Sequence, residues 1–152
     1  MVIIGSRGIF LIEVKTWKGS FSAYGDRWKM RVGKRWKPLS QSPSQQSQYH
    51  QKMFVAWLRS QNLDVNPQVI AAPVVFPAAQ WLGTKNCSVP VLGSTLELVQ
   101  LIRQKPDCLD YGQVEDVALA MQKIAVPSQK YSIPKTINSE HKKPKPILKK
   151  KP

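Results

Sequence analysis

Residues 8 to 15, GIFLIEVK, place the strongest constraint on the fold of this chain. Their unbroken apolar start predicts a strand that is buried on both faces, as in the centre of a sheet. A carboxylate, Glu13, and an ammonium, Lys15, follow at once. Because alternate residues of a strand point to the same face, these two charges lie side by side while Val14 turns away. Buried charges are costly unless they pair, bind a metal or contact a ligand, so the strand predicts an ion pair or a site.

The sequence around this strand predicts a meander of hairpins followed by a long helix. Further short strands are predicted at residues 2 to 4, 20 to 24 and 27 to 32, with glycine-containing turns between them as far as residue 37. Ser42-Pro43-Ser44-Gln45 then has the form of a capping box with proline at the first helical position. Tyr49 and the apolar residues after it recur at helical spacing, which predicts a helix to about residue 62.

The second half of the chain alternates strands and helices. A strand is predicted over residues 68 to 76, where Pro73 indicates either an edge strand or a bend. A short strand over 89 to 92, a helix over 94 to 105 and a last amphipathic helix over 112 to 125 follow. The predicted class is therefore α/β or α+β with a mixed sheet. We expect one domain, residues 1 to 126, and a disordered Lys/Pro-rich tail, residues 127 to 152.

Charge is distributed unevenly along the chain. Of the formal net charge of +14, residues 1 to 37 carry +7, residues 127 to 152 carry +7, and the middle is neutral. Two separate basic regions favour a polyanionic partner, of which nucleic acid is the commonest, although basic tails also serve only to increase solubility.

Membrane and secreted classes are disfavoured by the sequence. The apolar runs are too short to span a bilayer, and the first residues lack the form of a signal peptide. Cys87 and Cys108 lie in unlike contexts without CxxC spacing, which predicts a buried, reduced pair rather than a disulfide or a zinc site. These features together favour a cytoplasmic protein.

Glu13-Val14-Lys15 suits metal-dependent phosphodiester hydrolysis. A carboxylate provides the oxygen ligands that Mg²⁺ prefers, and an ammonium can orient water and offset charge on a phosphate in the transition state. Glu-x-Lys is also a common tripeptide, and an exposed ion pair of this kind contributes less than about 1 kcal/mol. The tripeptide alone leaves both interpretations open.

The wider sequence resembles a known family. VIIGSRGIFLIEVKTWKG, the SPSQ helix start, the APVVFP strand and VLGSTLELVQLI together resemble the nuclease-related domain (NERD) family, over residues 2 to 104. That family looks like a branch of the restriction-endonuclease-like superfamily, whose mixed sheet carries an Asp…Glu-x-Lys site. The resemblance implies a mixed sheet flanked by helices and Mg²⁺-dependent hydrolysis of DNA, with no small-molecule cofactor apart from the metal. Glu13 then matches the metal-binding carboxylate, Lys15 the catalytic lysine, and Val14 the residue whose backbone carbonyl joins the metal shell.

Gln45 and Tyr49 have the spacing Q-x-x-x-Y, which resembles a helix motif beside the active site of some nucleases of this superfamily. The resemblance implies that Gln45 assists catalysis, by orienting the lysine or contacting phosphate, and that Tyr49 contacts nucleic acid. Alternatively, Gln45 completes the capping box and Tyr49 belongs to the core. His50 and His141 are expected at the surface without a partner.

The resemblance also implies an Asp on a strand that precedes residues 2 to 5. The chain begins at Met1, so that Asp, with the family's first helix and strand, is expected to be missing, and Asp26 is a poor substitute. One carboxylate rarely holds Mg²⁺ tightly. We therefore expect either a nuclease, impaired to an extent set by this loss, or a non-catalytic nucleic-acid-binding module or truncated gene product.

A basic hairpin is expected next to this site. Its cations could neutralise phosphates and its indoles could stack on unpaired bases, or the tryptophans could pack the sheet beneath solvated cations. Trp28 is expected in the core, and Trp36 is left open. The residues expected to bind nucleic acid are Lys18, Arg27, Lys29, Arg31, Lys34, Arg35, Lys37 and Tyr49.

Overall fold

The computed structural model describes residues 1–124 of the chain. The predicted Lys/Pro-rich tail and the last residue of the predicted terminal helix lie outside the described residues. The strands are β1 (Val2–Gly5), β2 (Gly8–Leu11), β3 (Glu13–Val14), β4 (Gly19–Tyr24), β5 (Arg27–Val32), β6 (Arg35–Pro38), β7 (Ile70–Ala71), β8 (Val74–Val75), β9 (Ala79–Lys85) and β10 (Val91–Leu92). The helices are α1 (Pro43–Ser60), a short 3-10 helix (Pro67–Val69), α2 (Thr95–Arg103) and α3 (Tyr111–Ile124).

The apolar strand β2 lies in the middle of a three-stranded mixed sheet, as the sequence predicted, and β3, which carries Glu13, follows it at one end of a second three-stranded sheet. β2 pairs antiparallel with β1 and parallel with β7, and β3 continues the same strand to pair parallel with β8. β10 adds a further parallel strand beside β8. Ile9 packs in one buried cluster with α1, whereas Phe10 and Ile12 pack in another with α2. Both faces are therefore covered by helices, and the described residues form an α/β fold.

Pro73 marks a bend rather than an edge. It lies between β7 and β8, where its carbonyl accepts a hydrogen bond from the Glu13 N–H at 3.1 Å. β8 itself has neighbours on both sides, because it lies between β3 and β10. The proline therefore interrupts the strand between β7 and β8, while its carbonyl keeps a hydrogen bond to β3.

A third, four-stranded sheet has the order β6-β5-β4-β9. The meander from β4 to β6 confirms the predicted hairpins, whereas β9 was not predicted from the sequence. Phe21, Ala23 and Trp28 point to one face and form a core cluster with Val74 and Phe76. Trp28 is only 3% exposed, which confirms that it belongs to the core.

The helix starts follow the predicted capping signals. Ser42 Oγ accepts a hydrogen bond from the Gln45 N–H at 3.2 Å, and Ser94 Oγ does the same for the Glu97 N–H at 3.2 Å. Each serine thereby satisfies one of the free N–H groups at its helix start. No helix among residues 1–124 combines the length and the apolar character that crossing a membrane requires.

Both cysteines are free, as predicted, but the prediction that both are buried was wrong. Cys108 is exposed and Cys87 is half-buried. Burial raises the pKa of the Cys87 thiol, and the Asp26 carboxylate raises it further.

Candidate active site

Glu13 and Lys15 form a close, half-buried ion pair at the end of the central strand. Lys15 Nζ donates to Glu13 Oε1 at 2.7 Å. The side chains of Lys15 and Glu13 are 12% and 24% exposed. Lys15 directly follows β3, and its i, i+2 spacing from Glu13 places both side chains on the face that α1 covers. The pair is therefore shielded more than an ordinary surface ion pair.

Helix α1 contributes two further polar groups to this pair. Gln46 Oε1 accepts a hydrogen bond from Lys15 Nζ at 2.9 Å. One helical turn later, His50 Nδ1 lies 3.6 Å from Glu13 Oε2. Residues four apart share one face of a helix, so α1 presents an amide to the ammonium and an imidazole to the carboxylate.

The contact predicted for Gln45 is made by its neighbour Gln46. Gln45 is exposed, and its described hydrogen bond is the cap from its backbone N–H to Ser42. Tyr49 is 61% exposed, so its alternative assignment to the core was wrong. Its ring lies 6.3 Å from the His50 ring, centroid to centroid. His50 is at the surface as expected, but the expectation that it has no partner was wrong.

Two buried serines hold the first turns of α1 against the sheets. Ser44 Oγ accepts a hydrogen bond from Trp28 Nε1 at 2.9 Å, and Ser47 Oγ donates to the Ala72 carbonyl at 2.8 Å. Ser44 links the helix to the four-stranded sheet, and Ser47 links it to the strand that pairs with β2 and β3. These bonds fix the rotation of α1, and with it the direction in which Gln46 and His50 point.

Trp17 supports the lysine from the other side. Lys15 Nζ lies 5.4 Å from the centroid of the Trp17 ring, within the range of a cation–π contact. Trp17 in turn packs against Phe21 and Phe76 in the core. The ammonium is thus held by a carboxylate, an amide and an indole.

A cavity of about 230 Å³ opens beside the carboxylate. Its lining residues are Met1, Val2, Leu11, Ile12, Glu13, Ser47, His50 and Phe54. The Met1 nitrogen donates to the Ile12 carbonyl at 3.1 Å, which holds Met1 beside this cavity. Glu13 therefore has the ion pair on one side and open space on the other.

The family model of the nuclease-related domain (NERD) matches residues 1–77. The chain belongs to the nuclease-related domain family. The match spans both charged strand residues and α1, and it ends before VLGSTLELVQLI, the last of the segments that suggested the resemblance. No curated protein and no solved structure matched the chain.

The metal-binding capacity of this nuclease-related domain rests on a small donor set. Among residues 1–124, no group of three or more His, Cys, Asp or Glu side chains is placed to hold a metal ion. Glu13 contributes one carboxylate, and Mg²⁺ is commonly held in proteins by one or two carboxylates together with substrate phosphates and waters. The residues present therefore fit Mg²⁺ at the lower limit of what it requires.

The Val14 carbonyl is the second oxygen expected near this carboxylate. The N–H groups of Glu13 and Lys15 donate to the Pro73 and Val75 carbonyls of the neighbouring strand. Because peptide directions alternate along a strand, the Val14 carbonyl faces the opposite edge. On that edge the Ile12 N–H donates to the Met1 carbonyl at 2.8 Å, and Val14 lies two residues further along.

Asp26 serves a structural role elsewhere in the domain. Its Oδ1 accepts hydrogen bonds from the Ser88 N–H at 3.1 Å and the Ser88 hydroxyl at 3.0 Å. Burial raises the pKa of the Asp26 carboxyl, but hydrogen bonds from Ser44 and Ser88 outweigh it, so the pKa lies below its ordinary value. Asp26 joins the β4–β5 turn to the segment after β9.

The predicted nucleic-acid-binding cations are all exposed, but they do not share one surface. Strand alternation puts Arg27, Lys29 and Arg31 on one face of the four-stranded sheet and Arg35 and Lys37 on the other. The remaining two cations of the set are Lys34, in the β5–β6 turn, and Lys18, just before β4.

Proposed function

We propose that this nuclease-related domain is a Mg²⁺-dependent phosphodiesterase that acts on DNA, built on a restriction-endonuclease-like sheet. The observation that carries the proposal is the Lys15 ammonium, which Glu13 and Gln46 hold at 2.7 and 2.9 Å, while an open cavity adjoins the Glu13 carboxylate. A charged pair of this kind at the end of a central strand contributes little to stability, since desolvation offsets its attraction. A catalytic role explains its position better than a stabilising one.

Each residue has a distinct role in this proposal. Glu13, with the Val14 carbonyl, would hold Mg²⁺, which when bound lowers the pKa of a water and offsets charge on a phosphate. Lys15 donates hydrogen bonds to the attacking water or to a phosphate oxygen as negative charge develops there. Gln46 positions Lys15, because its amide oxygen restricts where the ammonium can lie. His50 lies on the other oxygen of Glu13 and limits the rotation of that carboxylate.

A non-catalytic nucleic-acid-binding module is the second candidate function. The observation that favours it is the single carboxylate in the site, together with the lack of a larger metal-ligating cluster in residues 1–124. In this case exposed cations of the domain would contact the phosphate backbone without hydrolysing it, and Glu13 would contribute only to the fold. The two candidates differ in whether Glu13 is needed for anything beyond folding.

Cleavage by purified full chain decides between them. Supercoiled plasmid and single-stranded DNA are incubated with Mg²⁺ or with EDTA, and nicked and degraded products are measured on gels. We expect Mg²⁺-dependent cleavage that Lys15→Ala and Glu13→Gln each reduce by at least about a hundredfold. Lys52→Ala, which removes an exposed lysine from α1, is the matched control and should leave the rate unchanged.

An absence of cleavage by clean wild-type protein would refute the hydrolysis proposal. If such protein still binds DNA, and Glu13→Gln does not weaken the binding, the second candidate is supported. Circular dichroism of each variant separates a lost reaction from a lost fold.

A further inference from the structure

The four-stranded sheet has a solvent-facing side that the proposed hydrolysis does not use. Phe21, Ala23 and Trp28 point into the core, so the residues that alternate with them point outward. We call this side the outer face. Its members along β4, β5, β6 and β9 are Ser20, Ser22, Tyr24, Arg27, Lys29, Arg31, Trp36, Pro38, Trp81, Gly83 and Lys85.

Two half-exposed tryptophans pair across this face. Trp36 lies opposite Arg31 on the neighbouring strand, and Trp81 lies opposite Ser20. The Trp36 and Trp81 rings approach to 5.6 Å between centroids at an interplanar angle of 56°. They are nevertheless 41% and 51% exposed. The two indoles come from the opposite edges of the sheet and lean together over its middle strands.

Gly83 allows one of these indoles to lie flat on its own strand. A Cβ atom at position 83 would lie 2.6 Å from Cζ2 and 2.9 Å from Cζ3 of Trp81. Side chains two residues apart on a strand share a face, so any larger residue at 83 would displace the ring. The glycine thus leaves the space that the Trp81 ring occupies, and the ring stays half-exposed there.

The charge of the outer face has one sign. The four strands of this sheet contain no Asp or Glu, while Arg27, Lys29, Arg31 and Lys85 all point to this side. Beside them, a depression of about 310 Å³ is lined by Ser22, Tyr24, Arg27 and Lys29. Exposed aromatic rings next to unpaired cations are unusual on an ordinary solvated surface, and they match a partner with both flat rings and negative charge.

We infer that the outer face binds a single strand of nucleic acid, with bases stacking on Trp36, Trp81 and Tyr24 while the cations contact the phosphates. Unpaired bases offer the flat surfaces that indole and phenol rings contact, and a duplex keeps those surfaces stacked inside. The inference goes beyond the proposed hydrolysis, because binding here needs neither Glu13 nor Lys15. It shares with that proposal only the class of polymer.

The test compares ligands that differ in bases but not in charge. Full-length protein in EDTA is titrated into labelled oligothymidylate of about 15 nucleotides, and separately into an abasic strand of equal length and into a duplex. Fluorescence anisotropy gives each Kd. We expect the thymidylate to bind at least about tenfold more tightly than the abasic strand, and Trp36→Ala/Trp81→Ala to abolish that difference. Binding of the abasic strand by the double variant should stay unchanged.

Controls separate stacking from folding and from the other site. Trp36→Phe/Trp81→Phe keeps two aromatic rings and should keep most of the preference, whereas Tyr111→Ala removes an exposed ring elsewhere and should change nothing. Lys29→Glu/Lys85→Glu should weaken binding to both strands at least about tenfold, and Lys52→Glu should not. Because the titrations are made in EDTA, Mg²⁺-dependent cleavage does not enter the measurement, and loss of stacking is distinguished from loss of hydrolysis.

Three results would overturn the inference. The first is equal affinity of wild-type protein for the thymidylate and the abasic strand. The second is a Trp36→Ala/Trp81→Ala protein that binds the thymidylate as tightly as the wild-type protein does. The third is a tryptophan-dependent dimer in size-exclusion chromatography that does not bind the thymidylate, which would assign the face to a second copy of the chain.

Discussion

At the scale of single residues, the hydrogen bond from Lys15 Nζ to Gln46 Oε1 distinguishes Gln46 from its neighbour Gln45. We predict that Gln46→Ala lowers the rate of Mg²⁺-dependent cleavage by about tenfold or more, because the ammonium loses the amide that orients it. Gln45→Ala, which changes an exposed residue one position away, should leave the rate near wild type. Steady-state cleavage assays of both variants measure this, and an equal loss in the two would contradict the assigned contact.

A further variant tests whether the effect of Gln46 on the rate comes from the oxygen that accepts the Lys15 hydrogen bond. Gln46→Glu restores an oxygen acceptor of similar length, so it should recover part of the rate that Gln46→Ala loses. A rate that falls equally in both variants would mean that Gln46 supports the helix rather than Lys15.

The sequence predicted Glu13 and Lys15 correctly as neighbours but missed Gln46 and His50. The first prediction needed only the two-residue period of a strand, which is fixed by backbone geometry. The second required the rotation of α1 about its axis, where each residue turns the side chain by about 100°. A capping box fixes where a helix begins but not which side faces the sheet. That choice depends on the distant partners of Ser44 and Ser47.

At the scale of elements, α1 is held to the four-stranded sheet by one buried hydrogen bond. We predict that Ser44→Ala destabilises the domain by about 1 to 3 kcal/mol, because the buried Trp28 Nε1–H loses its acceptor. Ser60→Ala, an exposed change at the other end of the helix, should stay within about 0.5 kcal/mol. Urea unfolding followed by circular dichroism measures both. A Ser44→Ala protein as stable as wild type would show that water or Asp26 replaces the acceptor.

The element that the sequence analysis did not predict is β9, and its residues explain why. Trp81 is a large apolar side chain on the solvent side, and glycine, as at position 83, is uncommon inside strands. The sequence of β9 therefore lacks the alternation of apolar and polar residues that indicates a strand. Its pairing is also non-local, since β9 joins β4 in parallel across about sixty residues of chain. The central strand was predictable because its apolar residues are consecutive in the sequence.

At the scale of the whole molecule, the two candidate surfaces face different directions and carry different chemistry. The Glu13–Lys15 site lies between the central sheet and α1, whereas the outer face lies on the far side of the four-stranded sheet from its core. A single strand of nucleic acid whose bases stack on the outer face could present its phosphates to the Glu13–Lys15 site, because the two surfaces share no residues. Binding and hydrolysis should therefore respond separately to mutation.

The affinity of the protein for single-stranded DNA should depend on salt concentration. Each phosphate contact to a single strand contributes about 0.7 to the slope of log K against log salt concentration, because a counterion is released. Arg27→Gln/Lys29→Gln/Lys85→Gln should therefore reduce the slope for oligothymidylate by about 2. Lys52→Gln/Arg59→Gln/Lys123→Gln removes the same charge from other exposed positions and should leave the slope nearly unchanged. Anisotropy titrations over a range of NaCl concentrations measure both slopes. Equal reductions would mean that net charge, rather than the outer face, governs binding.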